Sequence, residues 1–406
     1  MASYKNSETA PPIMQGSPPP PKMRLPMIDW DRPPWNRWAF QRVQEFLPTA
    51  PIRRGDHISL LNSAHQDISA IPFTRTDGVA SSFEQMLDDT YTDGMLVMMD
   101  GKVIHESYHN SMDKRTLHLA QSVSKSITAT VGASLINDGL LDPLAPIIEP
   151  LPELVNTAWN GATLRDVMDM ATGVKYVEAY DVRDSDVGKT DFACGWKPAP
   201  DGKDTSDWPT CIWEQILSLK TQEAPHGSRF LYRSIETDIL AHAMERVTGQ
   251  RLPQIISERL WAPLGAQEDA NITVDSSGYG LACGGISASL RDFARFGLAM
   301  FNDGQVEGRQ VIPKSWVDDV RSGDHGHFSG EGREYFKNGR YRNQFWIEDR
   351  DKMGHYCLGV FGQMIYVSPE RGMVAVKFST WPEFTSVEHN TNTINALHAV
   401  SDAFGS

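Results

Sequence analysis

The stretch SVSKSITATVGASLINDG, residues 122–139, carries apolar side chains at the spacing of one helix face. Four of them recur at every fourth position: Val123, Ile127, Val131 and Leu135. Such a period is typical of a helix with one buried face. Gly139 follows the last of them, and glycine is the usual residue at the left-handed position that ends a helix. The stretch therefore predicts a helix that begins near Ser122 and ends before Gly139.

A β-hairpin is predicted upstream of this helix, over residues 95–108. Two runs of β-forming residues flank Asp100-Gly101, and a tight hairpin turn needs the positive φ that this pair tolerates. Downstream, helical patterns dominate from about residue 155 to 275, interrupted by a long polar loop over 181–210.

Strands return from about residue 340, with a second hairpin turn at Pro369–Gly372 and an amphipathic helix over 387–403. The order of strands, helices, strands and helix predicts an α/β (α+β) fold, in which helices flank an antiparallel sheet and an all-helical domain is inserted. We expect residues 27–155 and 280–406 to form the α/β domain, and residues 156–279 the helical domain. Residues 1–26 are polar and proline-rich and are expected to form a disordered tail.

The composition argues against several classes of function. The chain has 406 residues, 40% of them hydrophobic, and a formal net charge of −14. A negative surface disfavours nucleic acid and anionic membranes, so we expect neither as a partner. We see no signal sequence in the chain and no apolar run long enough to cross a membrane, and its four cysteines have no paired spacing. These features predict a cytoplasmic protein with reduced thiols. The cysteine and histidine spacings fit no metal site, and no cofactor is expected.

Ser122 and Lys125 form an S-x-x-K motif at the start of the predicted helix. Residues three positions apart share a helix face, so the amine lies within reach of the hydroxyl. A serine becomes an effective nucleophile when a base takes its proton, and a lysine is such a base if burial or a neighbouring cation lowers its pKa. The motif also occurs at Ser111–Lys114, in a polar stretch with no predicted helix. The alternative for Ser122 is a helix cap or a small packing residue.

Acyl transfer also requires an acid that protonates the leaving group. Tyr232-Arg233-Ser234 offers a phenol at a turn into an extended segment, directly before a predicted helix. Three other tyrosines stand two residues before an asparagine, but in a different context: Tyr4, Tyr108 and Tyr341. The alternative for Tyr232 is a half-buried side chain of the helical domain.

Together these motifs resemble the serine β-lactamase-like superfamily, which includes class C β-lactamases, D,D-peptidases and family VIII esterases. Three further stretches share the likeness: Thr163–Val174, Gly227–Gly249 and Gly284–Gly297. Within the superfamily, the chain from about residue 30 onward resembles the 6-aminohexanoate-dimer hydrolases, which are nylon-oligomer amidases. Four segments carry that resemblance: Pro34–Phe40, Tyr91–Asp93, Ser122–Ser126 and Ile272–Asp275.

The resemblance implies a β-lactamase-like fold and a covalent acyl-enzyme intermediate. Ser122 is then the residue acylated, Lys125 accepts its proton, and Tyr232 relays the proton to the leaving group. The backbone N–H groups of Ser122 and Val360 are implied to form the oxyanion hole, which requires donors aimed at the developing charge. Five further residues are implied to bind the substrate: Tyr180, Asp191, Cys283, Trp346 and Phe361.

Some of these positions depart from the family pattern. Asp191 matches an acidic residue that binds the substrate's amino group, and its alternative is a solvated loop charge. Cys283 stands where the nylon enzymes have asparagine or histidine, and Phe361 replaces a histidine, so the pocket is expected to be less polar. The segment at Gly359-Val360 lacks the Lys-Thr-Gly of lactamases and peptidases, which argues against β-lactam and peptidoglycan as substrates.

The expected function is that of a serine hydrolase that cleaves amide or ester bonds of small linear substrates. The alternative is a carboxylesterase on short acyl esters with little amidase or β-lactamase activity. A third hypothesis, from another class, is a catalytically silent binding protein on the same scaffold. The resemblance also suggests a homodimer.

Overall fold

The computed structural model describes residues 11–324 and 336–404. Its α-helices are α1 (Asn36–Ala39), α2 (Phe83–Asp89), α3 (Val123–Asn137), α4 (Leu164–Met168), α5 (Asp186–Ala193), α6 (Ile212–Ser218), α7 (Ile235–Thr248), α8 (Leu252–Ile256), α9 (Leu290–Phe301), α10 (Lys314–Ser322) and α11 (Val387–Phe404). Its first strands are β1 (Thr49–Ile52), β2 (Pro72–Thr74), β3 (Ala80–Ser82), β4 (Thr92–Met99), β5 (Lys102–Tyr108), β6 (His118–Leu119), β7 (Ala270–Thr273) and β8 (Ile286–Ala288). Its later strands are β9 (Gln305–Val306), β10 (Arg309–Gln310), β11 (Arg340–Arg342), β12 (Phe345–Ile347), β13 (His355–Gly359), β14 (Gln363–Ser368) and β15 (Met373–Ser379).

The central sheet is antiparallel and combines strands from both parts of the chain, as the sequence predicts. Its strand order is β11-β12-β13-β14-β15-β4-β5. Every residue of β4 and of β15 is buried, so neither strand has a face exposed to solvent. The turn between β4 and β5 has Asp100 at φ 48° and Gly101 at φ 73°, which confirms the predicted hairpin.

Helices cover both faces of this sheet. On one face, Leu96 and Val376 belong to the core that α3 and α9 complete. On the other face, Val97 and Ala375 pack in a second core with α2 and α11. Because neighbouring residues of a strand point to opposite faces, both layers are built from the same strands. The fold is thus the predicted helix-flanked antiparallel sheet.

Helices α4 to α8 form the inserted segment, and α3 packs against α7 within it. The range 156–279 was expected to be all helical, but β7 lies inside it. This strand pairs with β1 and β8 in a second sheet of order β1-β7-β8-β6. All four residues of β7 are buried, so the short run Ala270–Thr273 is stabilised by its neighbours in the sheet rather than by a helical period.

The polar stretch 181–210 is not simply a loop, because it contains α5. The hydroxyl of Ser185 accepts a hydrogen bond from the amide of Gly188 and caps this helix. Residues 11–26 also differ from the disordered tail expected for 1–26. Ile13 is 5% exposed, and a short 3₁₀ turn spans Pro21–Met23. Residues 1–10 of that expected tail lie outside the described residues.

A buried ion pair attaches the N-terminal segment to the sheet. The guanidinium of Arg37 lies 3.2 Å from the carboxylate of Asp93, and neither side chain is more than 3% exposed. His118 and Thr380 also hydrogen-bond this carboxylate, at 3.1 and 3.0 Å. Burial raises the pKa of Asp93, but Arg37 and these hydrogen bonds outweigh it and hold the pKa below its usual 3.8. The segments Pro34–Phe40 and Tyr91–Asp93 are therefore joined in space.

The four cysteines are all buried and unpaired. Within the described ranges, none of the helices combines the length and the apolar character needed to cross a lipid bilayer.

Candidate active site

Ser122 stands at the N-terminal end of α3, half-buried and at the wall of a cavity of about 700 Å³. The residue before it, Gln121, has a left-handed backbone with φ 49°. Non-glycine residues rarely adopt this conformation, and such strain concentrates at functional sites. The turn delivers the Ser122 hydroxyl to the cavity while the following residues form the helix.

Lys125 lies one helical turn beyond Ser122 and is buried, with 1% of its surface exposed. Its ammonium donates to the Ser122 Oγ at 2.9 Å and to the carbonyl oxygen of Cys283 at 2.6 Å. The S-x-x-K spacing therefore brings the hydroxyl and the amine into direct contact, and the cysteine contributes its backbone to the arrangement.

The loop that carries the Cys283 carbonyl is held by a buried carboxylate on α7. The Oδ1 of Asp238 accepts hydrogen bonds from the amides of Ala282 and Cys283, at 3.0 and 3.3 Å. The hydroxyl of Tyr279 donates to the same oxygen at 3.0 Å. Burial raises the pKa of Asp238 to about 6. This role of Asp238 is not visible in the sequence, because an acidic residue inside a predicted helix gives no sign that it supports a distant loop.

Tyr232 completes the group, as its position before a helix suggests. Its hydroxyl lies close enough to Ser122 and Lys125 for each of them to lower the pKa of the phenol, and the Lys125 Nζ lies 5.3 Å from the centre of the Tyr232 ring. Its ring stacks on Trp346 at 5.6 Å between centroids, with 20° between the planes. The amide of Leu231 donates to the carbonyl of Met170 at 2.9 Å, which anchors the extended segment that carries the phenol. A hydroxyl, an amine and a phenol thus meet at one point of the cavity wall.

A lysine that serves as the base is expected to have a lowered pKa, but the pKa of Lys125 is raised. Burial lowers this pKa, but the influences of Tyr232, Cys283 and Glu178 outweigh burial, and the pKa lies above the usual 10.5. Burial also raises the pKa values of the Tyr232 phenol and the Cys283 thiol, so both are neutral at physiological pH. Lys125 is therefore an ammonium in the resting protein, and the Glu178 carboxylate is one of the three groups that raise its pKa.

Glu178 lines the same cavity and was not identified from the sequence. Its Oε1 accepts a hydrogen bond from the hydroxyl of Tyr180 at 2.7 Å. Its Oε2 accepts one from the amide of Ser234 at 2.9 Å, and the Ser234 hydroxyl donates to Oε1. The carboxylate is thereby fixed between the loop before α5 and the start of α7. Nothing in the sequence pattern distinguishes this glutamate from a solvated loop residue.

Val360 follows β13 and lines the cavity together with Ser122. The next residue, Phe361, has φ 63°, and its amide donates to the carbonyl of Phe384 at 2.8 Å. Gly362 has φ 89°, and a Cβ there would lie 2.3 Å from the ring of Trp381. This irregular turn separates the end of β13 from the start of β14, so Val360 lies outside both strands.

Of the predicted substrate contacts, Tyr180 and Trp346 line the cavity, while Asp191, Cys283 and Phe361 are not among its lining residues. Asp191 faces Lys197, whose ammonium lies 3.2 Å from its carboxylate and 2.6 Å from that of Asp31. Cys283 is buried behind Lys125. Phe361 turns into the core, where its ring packs against Phe40 and Phe384 at 5.3 and 4.8 Å. Sequence position alone did not reveal these orientations, because each depends on the course of a neighbouring loop.

Comparison with known proteins gives consistent matches. The family model described as Beta-lactamase matches residues 79–399. A 6-aminohexanoate-dimer hydrolase from Paenarthrobacter ureafaciens is 36% identical over 364 residues, which cover 88% of this chain and 89% of the relative. The solved structure of a putative 6-aminohexanoate-dimer hydrolase from Bacillus anthracis is 28% identical, with a TM-score of 0.86 and coverage of 95% and 98% of the two chains. A family VIII carboxylesterase shares the fold at 15% identity, with a TM-score of 0.56 over 78% of this chain and 96% of its own.

Proposed function

The chain belongs to the beta-lactamase family and is a serine hydrolase, and from that premise we propose that Ser122, Lys125 and Tyr232 are its catalytic residues. The observation that carries the proposal is the meeting of a hydroxyl, an amine and a phenol at one cavity wall. The Lys125 Nζ lies 2.9 Å from the Ser122 Oγ and 5.3 Å from the centre of the Tyr232 ring, and both groups act on the pKa of the Tyr232 phenol. A nucleophile in contact with its base, and the base in contact with a further proton carrier, is the arrangement that acyl transfer requires.

In the proposed acylation step, the Ser122 Oγ attacks the substrate carbonyl and forms the new C–O bond. The serine proton passes to Lys125 in its free-amine form, and from there through Tyr232 to the leaving nitrogen or oxygen as the old bond breaks. The backbone N–H groups of Ser122 and Val360 stabilise the negative charge on the carbonyl oxygen. Water then attacks the acyl-enzyme with the same proton carriers acting in reverse, and Ser122 is regenerated.

The resting state of Lys125 adds a condition to this scheme. Because its pKa is raised, the amine must lose a proton before it accepts one from Ser122. The reaction is therefore expected to be faster at alkaline than at neutral pH. Glu178 contributes to this condition, and its hydrogen bonds with Tyr180 and Ser234 also order the cavity wall.

The proposed substrates are small linear amides or esters. The cavity volume of about 700 Å³ is sufficient for a short extended molecule. Trp346, Trp381 and Phe384 supply apolar surface in this cavity. The similarity to a 6-aminohexanoate-dimer hydrolase supports an amide. Assembly as a homodimer and a cytoplasmic location, which the sequence suggests, stay predictions.

One observation favours the second candidate, a carboxylesterase on short acyl esters. Asp191 is paired with Lys197 at 3.2 Å, so its carboxylate is already neutralised and is not offered to the amino group of a substrate. An enzyme without that contact gains less from a substrate with an ammonium end.

Hydrolysis of a matched pair of substrates tests the proposal. p-Nitrophenyl hexanoate and hexanoyl p-nitroanilide differ only in the atom of the leaving group. The wild-type protein is expected to hydrolyse the ester, and hydrolysis of the anilide at a comparable kcat/KM identifies an amidase. Ser122→Ala should reduce both activities to background. Hydrolysis by Ser122→Ala at the wild-type rate would refute the proposal.

A further inference from the structure

The cavity continues beyond Ser122 to an inner end beside α11, on the face of the sheet that α11 covers. Six residues line this part: Gln363, Met364, Lys377, Trp381, Asn390 and Thr393. None of them belongs to the serine, lysine and tyrosine group, so this inner end is a separate feature of the same cavity.

Lys377 brings a buried amine to the inner end. The side chain is 1% exposed. Its ammonium donates to the carbonyl of Thr90 at 3.2 Å and to the hydroxyl of Ser379, and an ammonium has three N–H donors. Among the described residues, no carboxylate lies within 4 Å of this nitrogen, and Asp93, which acts on it from farther away, is already paired with Arg37. Buried charges are normally paired, so a bound anion would supply the counter-ion that the charged form of Lys377 lacks.

Asn390 adds a hydrogen-bond donor to the lining of the same cavity. Its side chain is 4% exposed, and its Nδ2 has no hydrogen-bond partner within the part of the chain that the structure describes. The residue lies in the first turn of α11, an 18-residue helix, and the N-terminal end of a helix favours negative charge. A buried amide left without a partner is costly unless a ligand completes it. Both unsatisfied groups are donors, so they fit an acceptor that carries a negative charge.

The strand order shows which part of a substrate reaches this end. Tyr232, the proposed acid for the leaving group, stacks on Trp346 of β12. Lys377 belongs to β15, on the other side of β13 and β14. The leaving group therefore lies toward β12 and the acyl chain toward β15. Lys377 pairs with Met364 of β14, and Met364 pairs with Leu358 at the catalytic end of β13. Two strand spacings, ~10 Å in total, therefore separate Lys377 from Leu358.

We propose that Lys377 and Asn390 form a subsite for a carboxylate at the far end of the acyl chain, so that the preferred substrates are esters or amides of linear dicarboxylic acids. This inference rests on the proposed function, because it places the acyl chain by the role of Tyr232. The Lys-Thr-Gly strand segment that grips a carboxylate in lactamases is absent here. A lysine two strands away supplies an equivalent charge from a different direction. Burial lowers the pKa of Lys377 to about 7, and a bound carboxylate holds the amine in its charged form.

The test compares two esters of equal chain length, the p-nitrophenyl half-ester of adipic acid and p-nitrophenyl hexanoate. The measured quantity is the ratio of their kcat/KM values in the wild type and in three variants. Lys377→Met and Asn390→Leu are expected to lower this ratio about tenfold or more, because each removes a hydrogen bond to a charged group. Asn395→Leu is the matched control, since Asn395 lies on the same helix but outside the cavity, and it should leave the ratio unchanged. The succinic and suberic half-esters then locate the preferred spacer length.

Two outcomes overturn the inference: equal ratios in the wild type and both subsite variants, or an equal fall in the Asn395→Leu control. If Lys377→Met does not fold, Asn390→Leu decides by the same criterion. Binding of adipate, measured by calorimetry, needs no active serine. Adipate binding that is lost in the subsite variants supports the subsite even if the proposed hydrolysis is not found. Normal hydrolysis of the hexanoate ester with an unchanged ratio refutes the subsite alone.

Discussion

Replacing Tyr232 by phenylalanine removes one oxygen from the site and leaves the surrounding packing in place. The ring keeps its stacking on Trp346 at 5.6 Å and its edge contact with Tyr341 at 6.1 Å. The lost hydroxyl is the group that interacts with both Ser122 and Lys125, so the proposed proton path to the leaving group is broken. General acid–base catalysis by a positioned group is worth ~10²–10⁴-fold, or about 3–5.5 kcal/mol of activation free energy. The stability cost is about 1 kcal/mol, which changes the melting temperature by about 1 °C in a chain of this length.

The loss of activity should depend on the leaving group. An amine leaves only when protonated, so hydrolysis of hexanoyl p-nitroanilide by Tyr232→Phe should fall by ~10²–10⁴-fold. A p-nitrophenolate leaves readily without a proton, so the loss on p-nitrophenyl hexanoate should be at least about tenfold smaller. The matched control is Tyr341→Phe, which removes a hydroxyl from the neighbouring ring and should affect both substrates alike. Equal losses on amide and ester in Tyr232→Phe would refute its role as the acid for the leaving group.

Three further predictions concern charge. Glu178→Gln removes the carboxylate that raises the pKa of Lys125, so the rising limb of kcat/KM against pH should move to lower pH; a limb that stays or moves higher contradicts the role given to Glu178. Asp93→Asn leaves the buried Arg37 without a counter-ion, so the free energy of unfolding should fall by about 3–5 kcal/mol and the melting temperature by about 5 °C. The control is Asp402→Asn, at an exposed ion pair, which should change the melting temperature by about 1 °C at most. Because the pKa of Asp93 lies below 3.8, the stabilisation by its carboxylate is present at neutral pH and is lost as the pH falls below that value. The difference in melting temperature between Asp93→Asn and wild type should therefore shrink in acid. A difference that stays constant with pH contradicts this role of the Asp93 carboxylate.

The sequence predicts those features that depend on local pattern. The period of apolar residues predicts α3, and Gly139 ends it with φ 71° as expected. The S-x-x-K spacing predicts the contact of Ser122 with Lys125, because three helical residues fix that distance whatever surrounds them. Asp100-Gly101 predicts its hairpin for the same reason, since the turn is determined by the φ values that two residues tolerate.

Features that depend on long-range packing escape such patterns. Glu178 and Asp238 are ordinary acidic residues in the sequence, and their roles follow from hydrogen bonds to residues 56 and 44 or 45 positions away. The direction of the Lys125 pKa escaped prediction because Tyr232, Cys283 and Glu178, which together raise it, approach from other segments of the chain. Lys377 appears in the sequence as part of a buried strand, and its access to the cavity depends on where α11 begins.

The acylation of Ser122 is tested most directly by mass spectrometry of protein mixed with p-nitrophenyl hexanoate and quenched with acid during turnover. The wild-type chain should gain the mass of one hexanoyl group, and peptide mapping should locate it on Ser122. Ser122→Ala should gain none under the same conditions. A hexanoyl group on any other side chain of the active wild-type enzyme, or an adduct of equal yield in Ser122→Ala, would contradict the assignment of the nucleophile.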